Sequence, residues 1–162
     1  MSSNEEILKL LEGNARLTAA EIAVMTGRDE TEVASAIRTL EEEKVLLGYG
    51  AIVNWERTER DPVTALIEVS ITPQRGLGFD RIAARIYQYP QVKSCYLMSG
   101  GYDLMVIIED ESRRAVASFV SDRIAPLESV VSTRTHFVLR KYKMQNTIFD
   151  GTGEDDREAI VL

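Results

Sequence analysis

The sequence predicts an α+β protein in two parts, a group of short N-terminal helices and a C-terminal domain with the element order β-α-β-β-α-β. Residues 5–43 carry apolar side chains at helical spacing, interrupted by a turn that contains a glycine. Residues 63–141 instead contain four β-prone runs and two helical patterns. Between the two parts, residues 56–62 are highly charged and end in a proline, which is typical of a linker.

The N-terminal part contains the start and stop signals of three helices. Thr18 and Glu21 have the spacing of a capping box, which predicts a helix that begins directly after Thr18. Gly27 is expected to end that helix, and Asp29 is placed to cap the next one. Two short helices joined by such a turn, behind a supporting first helix, form a helix-turn-helix unit.

A β-prone run at residues 45–53, interrupted by two glycines, follows the third predicted helix. This pattern predicts a small hairpin, the wing of a winged helix-turn-helix domain. We therefore assign residues 1–55 to a winged helix-turn-helix domain and expect it to bind double-stranded DNA.

The C-terminal part, residues 63–142, predicts a ferredoxin-like domain, in which two helices cover one face of an antiparallel sheet. Its two middle strands meet at Gly100 and Gly101, which we expect to supply positive φ angles in a tight turn. The four strands are predicted at residues 63–72, 92–99, 102–109 and 130–141.

The sheet face opposite the helices carries apolar residues, including Leu66, Leu97 and Val138, and needs a cover. A second copy of the sheet is the expected cover, which predicts a homodimer. The remaining residues, 143–162, are assigned to a C-terminal tail, which we expect to be acidic and mobile from Asp150 onward.

Composition limits the class of protein. The 162 residues are 44% apolar and 28% charged, as in a globular protein, and no apolar stretch is long enough to span a membrane. With no signal-peptide pattern, and with Cys95 as the single cysteine, we expect a cytoplasmic protein without an internal disulfide. His136 is the single histidine, which excludes a His-rich metal site within one chain, and no cofactor is expected.

Several short motifs, in order and at matching spacing over roughly residues 4–142, resemble the Lrp/AsnC family of leucine- and asparagine-responsive transcription regulators. They are Leu40-Glu41-Glu42-Glu43 with Val45 and Gly48-Tyr49, then Gly100-Gly101-Tyr102-Asp103, then Thr133-Arg134-Thr135 with Val138-Leu139. The resemblance implies a homodimer built through ferredoxin-like (RAM/ACT-like) domains, often assembled into tetramers or octamers. It also implies an amino acid or a related small molecule as effector.

Candidate DNA contacts lie on and around the third helix, whose N-terminal half enters the major groove in a helix-turn-helix. Arg38 has the chemistry to read guanine, and Thr31 and Ser35 can reach a phosphate or a base edge. Arg28, in the turn, and Lys44, before the wing, are candidate phosphate contacts.

The charge of this part of the chain leaves an alternative open. Residues 1–55 contain five basic residues against ten acidic ones, a formal balance of −5. Family members usually have several basic residues where this helix has Ala34 and Ser35. Because phosphate neutralisation supplies most nonspecific affinity, the alternative is a ligand-sensing adaptor with a degenerate DNA-binding domain.

The candidate effector site is the tip of the central hairpin. Backbone N–H groups of the Ser-Gly-Gly stretch can hold a carboxylate, Asp103 can pair with an α-ammonium group, and Tyr102 can form a wall. The resemblance assigns the effector site to Ser99, Gly100, Gly101, Tyr102, Asp103, Thr133 and Thr135. The two threonines alternate along the last strand, so we expect both hydroxyls on one side of the sheet. The alternative is a simple turn that Asp103 caps.

Taken together, these patterns predict a DNA-binding transcription regulator whose operator binding or oligomeric state responds to a small molecule. An enzyme is a third class, because some decarboxylases of haem synthesis share the two-domain layout. The hairpin tip has no histidine and offers no obvious general acid, so we expect no catalytic residue.

Overall fold

The structure, a computed structural model, describes residues 3–72 and 78–149. The chain divides into two compact units, an N-terminal unit up to Val53 and a C-terminal unit from Asn54. The division falls two residues before the end of the predicted N-terminal domain. The predicted linker, 56–62, begins within a short 3-10 helix, Trp55–Arg57, of the C-terminal unit.

The N-terminal unit contains the three predicted helices: α1 is Ser3–Gly13, α2 is Ala19–Thr26 and α3 is Glu30–Glu42. Each helix contributes to one small apolar core, because its apolar residues recur at helical spacing and so share a face. The buried residues of this core are Ile7, Leu11, Ile22, Ala23 and Val33.

Helix α2 begins and ends at the predicted signals. The Glu21 carboxylate accepts a hydrogen bond from the Thr18 backbone N–H at 2.8 Å, and the Thr18 hydroxyl oxygen accepts one from the Glu21 N–H at 3.2 Å. The bond from the Thr18 N–H, and a second one that the Thr18 hydroxyl donates to the same carboxylate oxygen at 2.8 Å, lower the pKa of Glu21 because they favour its charged form. At the other end, Gly27 has a φ of 67°, in the left-handed region, and its N–H donates to the Ala23 carbonyl. The capping box and the glycine stop are therefore confirmed.

Asp29 caps helix α3, as predicted. Its carboxylate accepts hydrogen bonds from the Thr31 hydroxyl, from the Thr31 N–H at 2.8 Å and from the Glu32 N–H at 3.4 Å. These three bonds lower the pKa of Asp29 because they favour its charged form. The bond from the Thr31 hydroxyl has the largest effect, followed by those from the Thr31 and Glu32 N–H groups.

The predicted wing hairpin is wrong, because residues 44–54 contain no β-strand. Lys44 has a φ of 60°, and the chain turns back so that the N–H groups of Val45 and Leu46 both donate to the Leu40 carbonyl. A two-stranded hairpin is marginal without a layer to pack against, and Leu47 remains 83% exposed. These hydrogen bonds instead hold residues 45 and 46 against the C-terminal end of α3.

The C-terminal unit has the predicted β-α-β-β-α-β order, with a four-stranded antiparallel sheet in the order β2-β3-β1-β4. Its second helix continues into a π-helical turn, Val120–Ile124. The elements are β1 Val63–Ile71, α4 Asp80–Ile86, β2 Val92–Leu97, β3 Leu104–Asp110, α5 Arg113–Phe119 and β4 Val130–Phe137. This is the ferredoxin-like fold.

Strand register decides which residues face the helices. Ile67 is buried in the core beside the helices and pairs with Val106 on one side and Thr135 on the other. Partners in an antiparallel pair share a face. Leu66 is only partly buried and lies on the opposite, uncovered face, as predicted. Leu97 was predicted there too, but it pairs with Leu104, whose side chain is buried on the helix side.

The central hairpin is confirmed, but its turn differs from the predicted one. Strands β2 and β3 are joined by a loop at residues 98–103, longer than a two-residue turn. Neither Gly100 nor Gly101 has a φ in the left-handed region, so the predicted positive φ angles are wrong. The longer loop reverses the chain without the special backbone angles that a two-residue turn requires.

A second, shorter hairpin follows the sheet where a tail was predicted. Strands β5, Lys143–Met144, and β6, Thr147–Ile148, pair across Gln145 and Asn146, whose φ angles are 44° and 64°. Residues 143–148 are therefore structured. The predicted acidic, mobile segment from Asp150 onward lies outside the described residues.

Replacement of Gly27 tests the left-handed stop of α2. A Cβ added there meets no atom within 4 Å, so Gly27→Ala changes only the backbone conformational energy. We expect a loss of about 1 kcal/mol or more in the free energy of unfolding, measured by urea denaturation. Gly13→Ala is the control, because Gly13 lies in equally open space without a left-handed φ and is expected to lose no stability.

Acid titration tests the cap of α3. Because the pKa of Asp29 is lowered on folding, its contribution is complete above its unfolded pKa and is lost as pH falls through the folded one. Asparagine also caps helices but does not titrate. Between pH 7 and pH 3 we therefore expect Asp29→Asn to lose less thermal stability than the wild type. A melting-temperature profile identical to the wild-type one contradicts the role of Asp29.

Candidate functional site

The outward stripe of α3 presents the predicted reading residues. Thr31, Ser35 and Arg38 are exposed, whereas Val33 and Leu40 on the opposite side are buried. Their spacing of four and three residues places the three exposed side chains along one face of the helix. The structure therefore brings these three predicted DNA-contacting residues together on one surface.

Neither of the two predicted phosphate contacts, Arg28 and Lys44, lies on α3 itself. Arg28 bonds to Glu32 through two of its nitrogen atoms, and its side chain is only 15% exposed. Lys44 lies beyond the C-terminal end of α3, whose 13 residues span roughly 20 Å, so it is far from the N-terminal turn. The i,i+4 spacing of Arg28 and Glu32 could have predicted their pairing.

Asp103 fastens the hairpin tip to the end of β1. Its carboxylate accepts a hydrogen bond from the Ile71 N–H at 2.7 Å. Its own N–H donates to the Val69 carbonyl at 3.1 Å, and its carbonyl accepts from the Met98 N–H at 2.8 Å. Asp103 is thus a structural anchor of the loop, and its partner on β1 lies too far away in sequence for a local pattern to predict it.

The rest of the tip is open. Ser99, Gly100 and Gly101 are exposed, and a Cβ on either glycine meets nothing within 4 Å. Within residues 3–72 and 78–149, the backbone N–H groups of these three residues donate no hydrogen bond. Tyr102, between this stretch and Asp103, is partly buried. The tip therefore presents a row of donors that suits an anion such as a carboxylate.

Thr133 and Thr135 share one face of the sheet, as predicted, and that face is the one covered by helices. Thr133 pairs with Val69 and Thr135 with Ile67, both of which are buried. Val69 also pairs with Leu104, next to the hairpin tip. Thr133 and the tip thus flank the same end of β1, about two strand spacings, or roughly 10 Å, apart. Thr135 lies two residues farther along β4 from the tip.

Three polar side chains form a cluster on the uncovered sheet face: Glu68, Arg134 and His136. Glu68 Oε1 lies 3.0 Å from His136 Nε2, and Glu68 Oε2 lies 3.5 Å from an Arg134 guanidinium nitrogen. The three residues lie on two neighbouring strands that are distant in sequence, so no local pattern could show it.

Among the described residues, neither the cysteine nor a group of metal ligands forms a second site. Burial raises the pKa of the Cys95 thiol, which disfavours the nucleophilic thiolate. In the part of the chain that the structure describes, no three His, Cys, Asp or Glu residues are grouped as metal ligands. None of the described helices is long and apolar enough to cross a membrane.

Comparison with protein families identifies both units. Residues 64–148 match the Lrp/AsnC ligand-binding domain, and residues 3–46 match a winged helix-turn-helix DNA-binding domain. The chain belongs to the Lrp/AsnC family. It is a transcription regulator with a DNA-binding domain and a ligand-binding domain, and not an enzyme.

Individual members of the Lrp/AsnC family resemble the chain over most of its length. It is 48% identical over 157 residues to an uncharacterised helix-turn-helix regulator, YugG, of Bacillus subtilis strain 168, covering 96% of this chain and 94% of that protein. It is 26% identical over 146 residues to a proline dehydrogenase transcriptional activator of Rhodobacter capsulatus, covering 90% and 94%.

A solved structure confirms the Lrp/AsnC fold. A transcriptional regulator of Neisseria meningitidis, crystallised as a complex with L-methionine, superposes with a TM-score of 0.72. The match covers 89% of this chain and 92% of that chain at 24% sequence identity.

Replacement of Asp103 measures its anchoring role. Asp103→Ala leaves the partly buried Ile71 N–H without its acceptor, so we expect a loss of about 1–3 kcal/mol in the free energy of unfolding. Asp103→Asn retains an acceptor oxygen and is expected to lose clearly less. Equal stability of Asp103→Ala and the wild type in urea denaturation would show that the bond contributes nothing.

Proposed function

We propose that this Lrp/AsnC regulator binds operator DNA as a homodimer or larger homo-oligomer and that an amino acid at the hairpin tip changes that binding. The observation that supports the effector site is the row of backbone N–H groups at Ser99, Gly100 and Gly101, which have no acceptor in the part of the chain that the structure describes. Its place of action is the cytoplasm, where the operator DNA of a bacterial or archaeal regulator lies.

The uncovered sheet face supports dimerisation. Leu66, Met105 and Ile107 lie on it and are only partly buried in the single chain. A second copy of the same face covers them with a two-fold-symmetric contact. Dimerisation also joins two reading helices, which compensates for the few cations of each N-terminal unit by simultaneous binding. In a tetramer or octamer, more reading helices bind at once, so the affinity for DNA rises further for the same reason.

The exposed residues of α3 suit different kinds of contact with DNA. Arg38 has the donors to bind a guanine edge, and Thr31 and Ser35 lie beside it to contact a base or a phosphate. Lys44 contacts a phosphate at the far end of the helix.

The hairpin tip supports an effector with a carboxylate and an ammonium group. The carboxylate binds the N–H groups of Ser99, Gly100 and Gly101, while the Asp103 carboxylate attracts the ammonium group. Tyr102, Thr133 and Thr135 complete the surroundings of the ligand from the loop and from β4. L-Methionine, the ligand of the Neisseria protein, is one probe in a panel of amino acids.

An adaptor without DNA binding remains the second candidate, favoured by the −5 charge balance of residues 1–55. Salt dependence separates the two candidates. A regulator loses DNA affinity steeply as salt rises because it displaces counterions from phosphates. An adaptor shows no binding at any salt concentration.

Alanine at the two tip glycines tests the effector site without disturbing the fold. Because a Cβ meets nothing at either position, Gly100→Ala and Gly101→Ala are expected to keep their free energy of unfolding within about 0.5 kcal/mol. Each methyl group, however, obstructs the approach of a ligand to the backbone N–H groups. We expect the effector to shift operator binding of the wild type in gel-shift assays and to shift binding of both variants much less.

Gly48→Ala is the matched control, because Gly48 also lies in open space but belongs to the N-terminal unit. If no amino acid of the panel changes operator binding or oligomeric state of the wild type, the proposed effector class is wrong. If both tip variants respond like the wild type, the effector binds elsewhere.

A further inference from the structure

An acidic side chain on the DNA-reading helix is held in place by an arginine from the preceding turn. Arg28 lies between α2 and α3, and its backbone N–H donates to the Ala23 carbonyl. Its Nε and one terminal nitrogen lie 3.1 Å and 2.6 Å from the same oxygen, Oε1, of Glu32. Both bonds therefore end on a single oxygen of the Glu32 carboxylate.

The two partners differ in exposure. The Arg28 side chain is 15% exposed, whereas the Glu32 side chain is 61% exposed. The carboxylate, and not the guanidinium, is therefore the group presented to solvent. Because the Arg28 side chain is mostly buried and binds the exposed Glu32 through two nitrogen atoms, its geometry is that of a supporting residue.

The second oxygen of Glu32 is available to a ligand. Among residues 3–72 and 78–149, no group donates a hydrogen bond to its Oε2. Glu32 belongs to the first turn of α3, and the N-terminal residues of a recognition helix contact base edges. A glutamate oxygen accepts a hydrogen bond from the amino group of cytosine in the major groove.

Glu32 differs from Glu30 and Glu42 on the same helix because its carboxylate is paired with a cation. An unpaired carboxylate between two phosphate chains is repelled. Arg28 neutralises Glu32 and restricts its rotamers, so the acceptor enters the groove at a lower electrostatic cost. Glu30 and Glu42 are exposed too, but within the described ranges neither has an ion pair or hydrogen-bond partner. Glu42 therefore provides a matched comparison.

We infer that Arg28 is a positioning residue and that Glu32 reads an exocyclic amino group, of cytosine or adenine, on a base edge of the operator. The inference rests on the proposed insertion of α3 into the major groove. It assigns Glu32 to sequence specificity and removes Arg28 from the phosphate contacts.

The experiment begins by selecting preferred duplexes from a randomised pool with the full-length wild type. Affinities for single-base variants of the selected site are then measured for the wild type, Glu32→Ala and Glu42→Ala. Both substitutions remove one negative charge and are expected to raise overall affinity similarly. Only Glu32→Ala is expected to lose discrimination at one position of each half-site, by about tenfold.

Base analogues then identify the donor at that position. Pyrimidin-2-one in place of cytosine, or purine in place of adenine, removes the exocyclic amino group. We expect the effective analogue to weaken wild-type binding about tenfold and to leave Glu32→Ala binding unchanged. Equal sensitivity of both proteins, or insensitivity of the wild type to both analogues, overturns the assignment.

Arg28 variants separate positioning from phosphate contact. Arg28→Ala is expected to lose the same base discrimination as Glu32→Ala, and Arg28→Lys to restore part of it, because lysine can still pair with Glu32. Neither is expected to lower the slope of log affinity against log salt. A slope smaller by about 0.9 identifies a lost phosphate contact and overturns the positioning role.

Failure of the proposed function gives a different result. If the wild type enriches no sequence, or if Arg38→Ala leaves affinity and preference unchanged, α3 does not read DNA and both proposals fail. If a site is enriched and Arg38→Ala weakens it, but Glu32→Ala behaves like Glu42→Ala, only the inference about Glu32 fails.

Discussion

Strand β1 lies between β3 and β4, and the C-terminal unit depends on its register with both neighbours. The pairing of Ile67 with Val106 and Thr135 turns alternate side chains of three strands toward the helices. A one-residue slip of β1 would move its buried side chains to the uncovered face and Glu68 to the core. The same register brings the hairpin tip and Thr133 to the end of β1, where the candidate effector site lies.

The N-terminal unit depends on local hydrogen bonds more than on a large core. The capping box at Thr18, the left-handed Gly27 and the Asp29 cap fix the geometry of the turn between α2 and α3. Such caps each contribute only about 1 kcal/mol, but they determine the direction in which α3 presents Arg38 and Glu32. Residues 1–55 contain five basic and ten acidic residues, so their net charge does not favour DNA. DNA binding by this unit therefore depends on where its individual charges lie.

The sequence was sufficient for the helix caps and for the alternation of β1, where the interacting residues are close in the chain. The spacing of Thr18 and Glu21 predicts their capping box, and the alternation from Ala65 to Ile71 predicts a strand with one buried face. It was insufficient where a partner is remote. The bond between Asp103 and the Ile71 N–H joins residues 32 apart, and Glu68 and His136 are 68 apart. The wing prediction was wrong because β-propensity without a packing partner does not produce a hairpin.

The open space around Gly100 and Gly101 has a consequence for how this regulator changes in evolution. Since neither glycine is needed for a left-handed backbone or for close packing, substitutions there leave the stability of the fold nearly intact. The loop is instead anchored to β1 by Asp103, whose carboxylate accepts a hydrogen bond from the Ile71 N–H. New side chains at the tip can therefore appear without compensating changes in the core. On the proposed placement of the effector at the tip, the same sheet can carry sites for different signals.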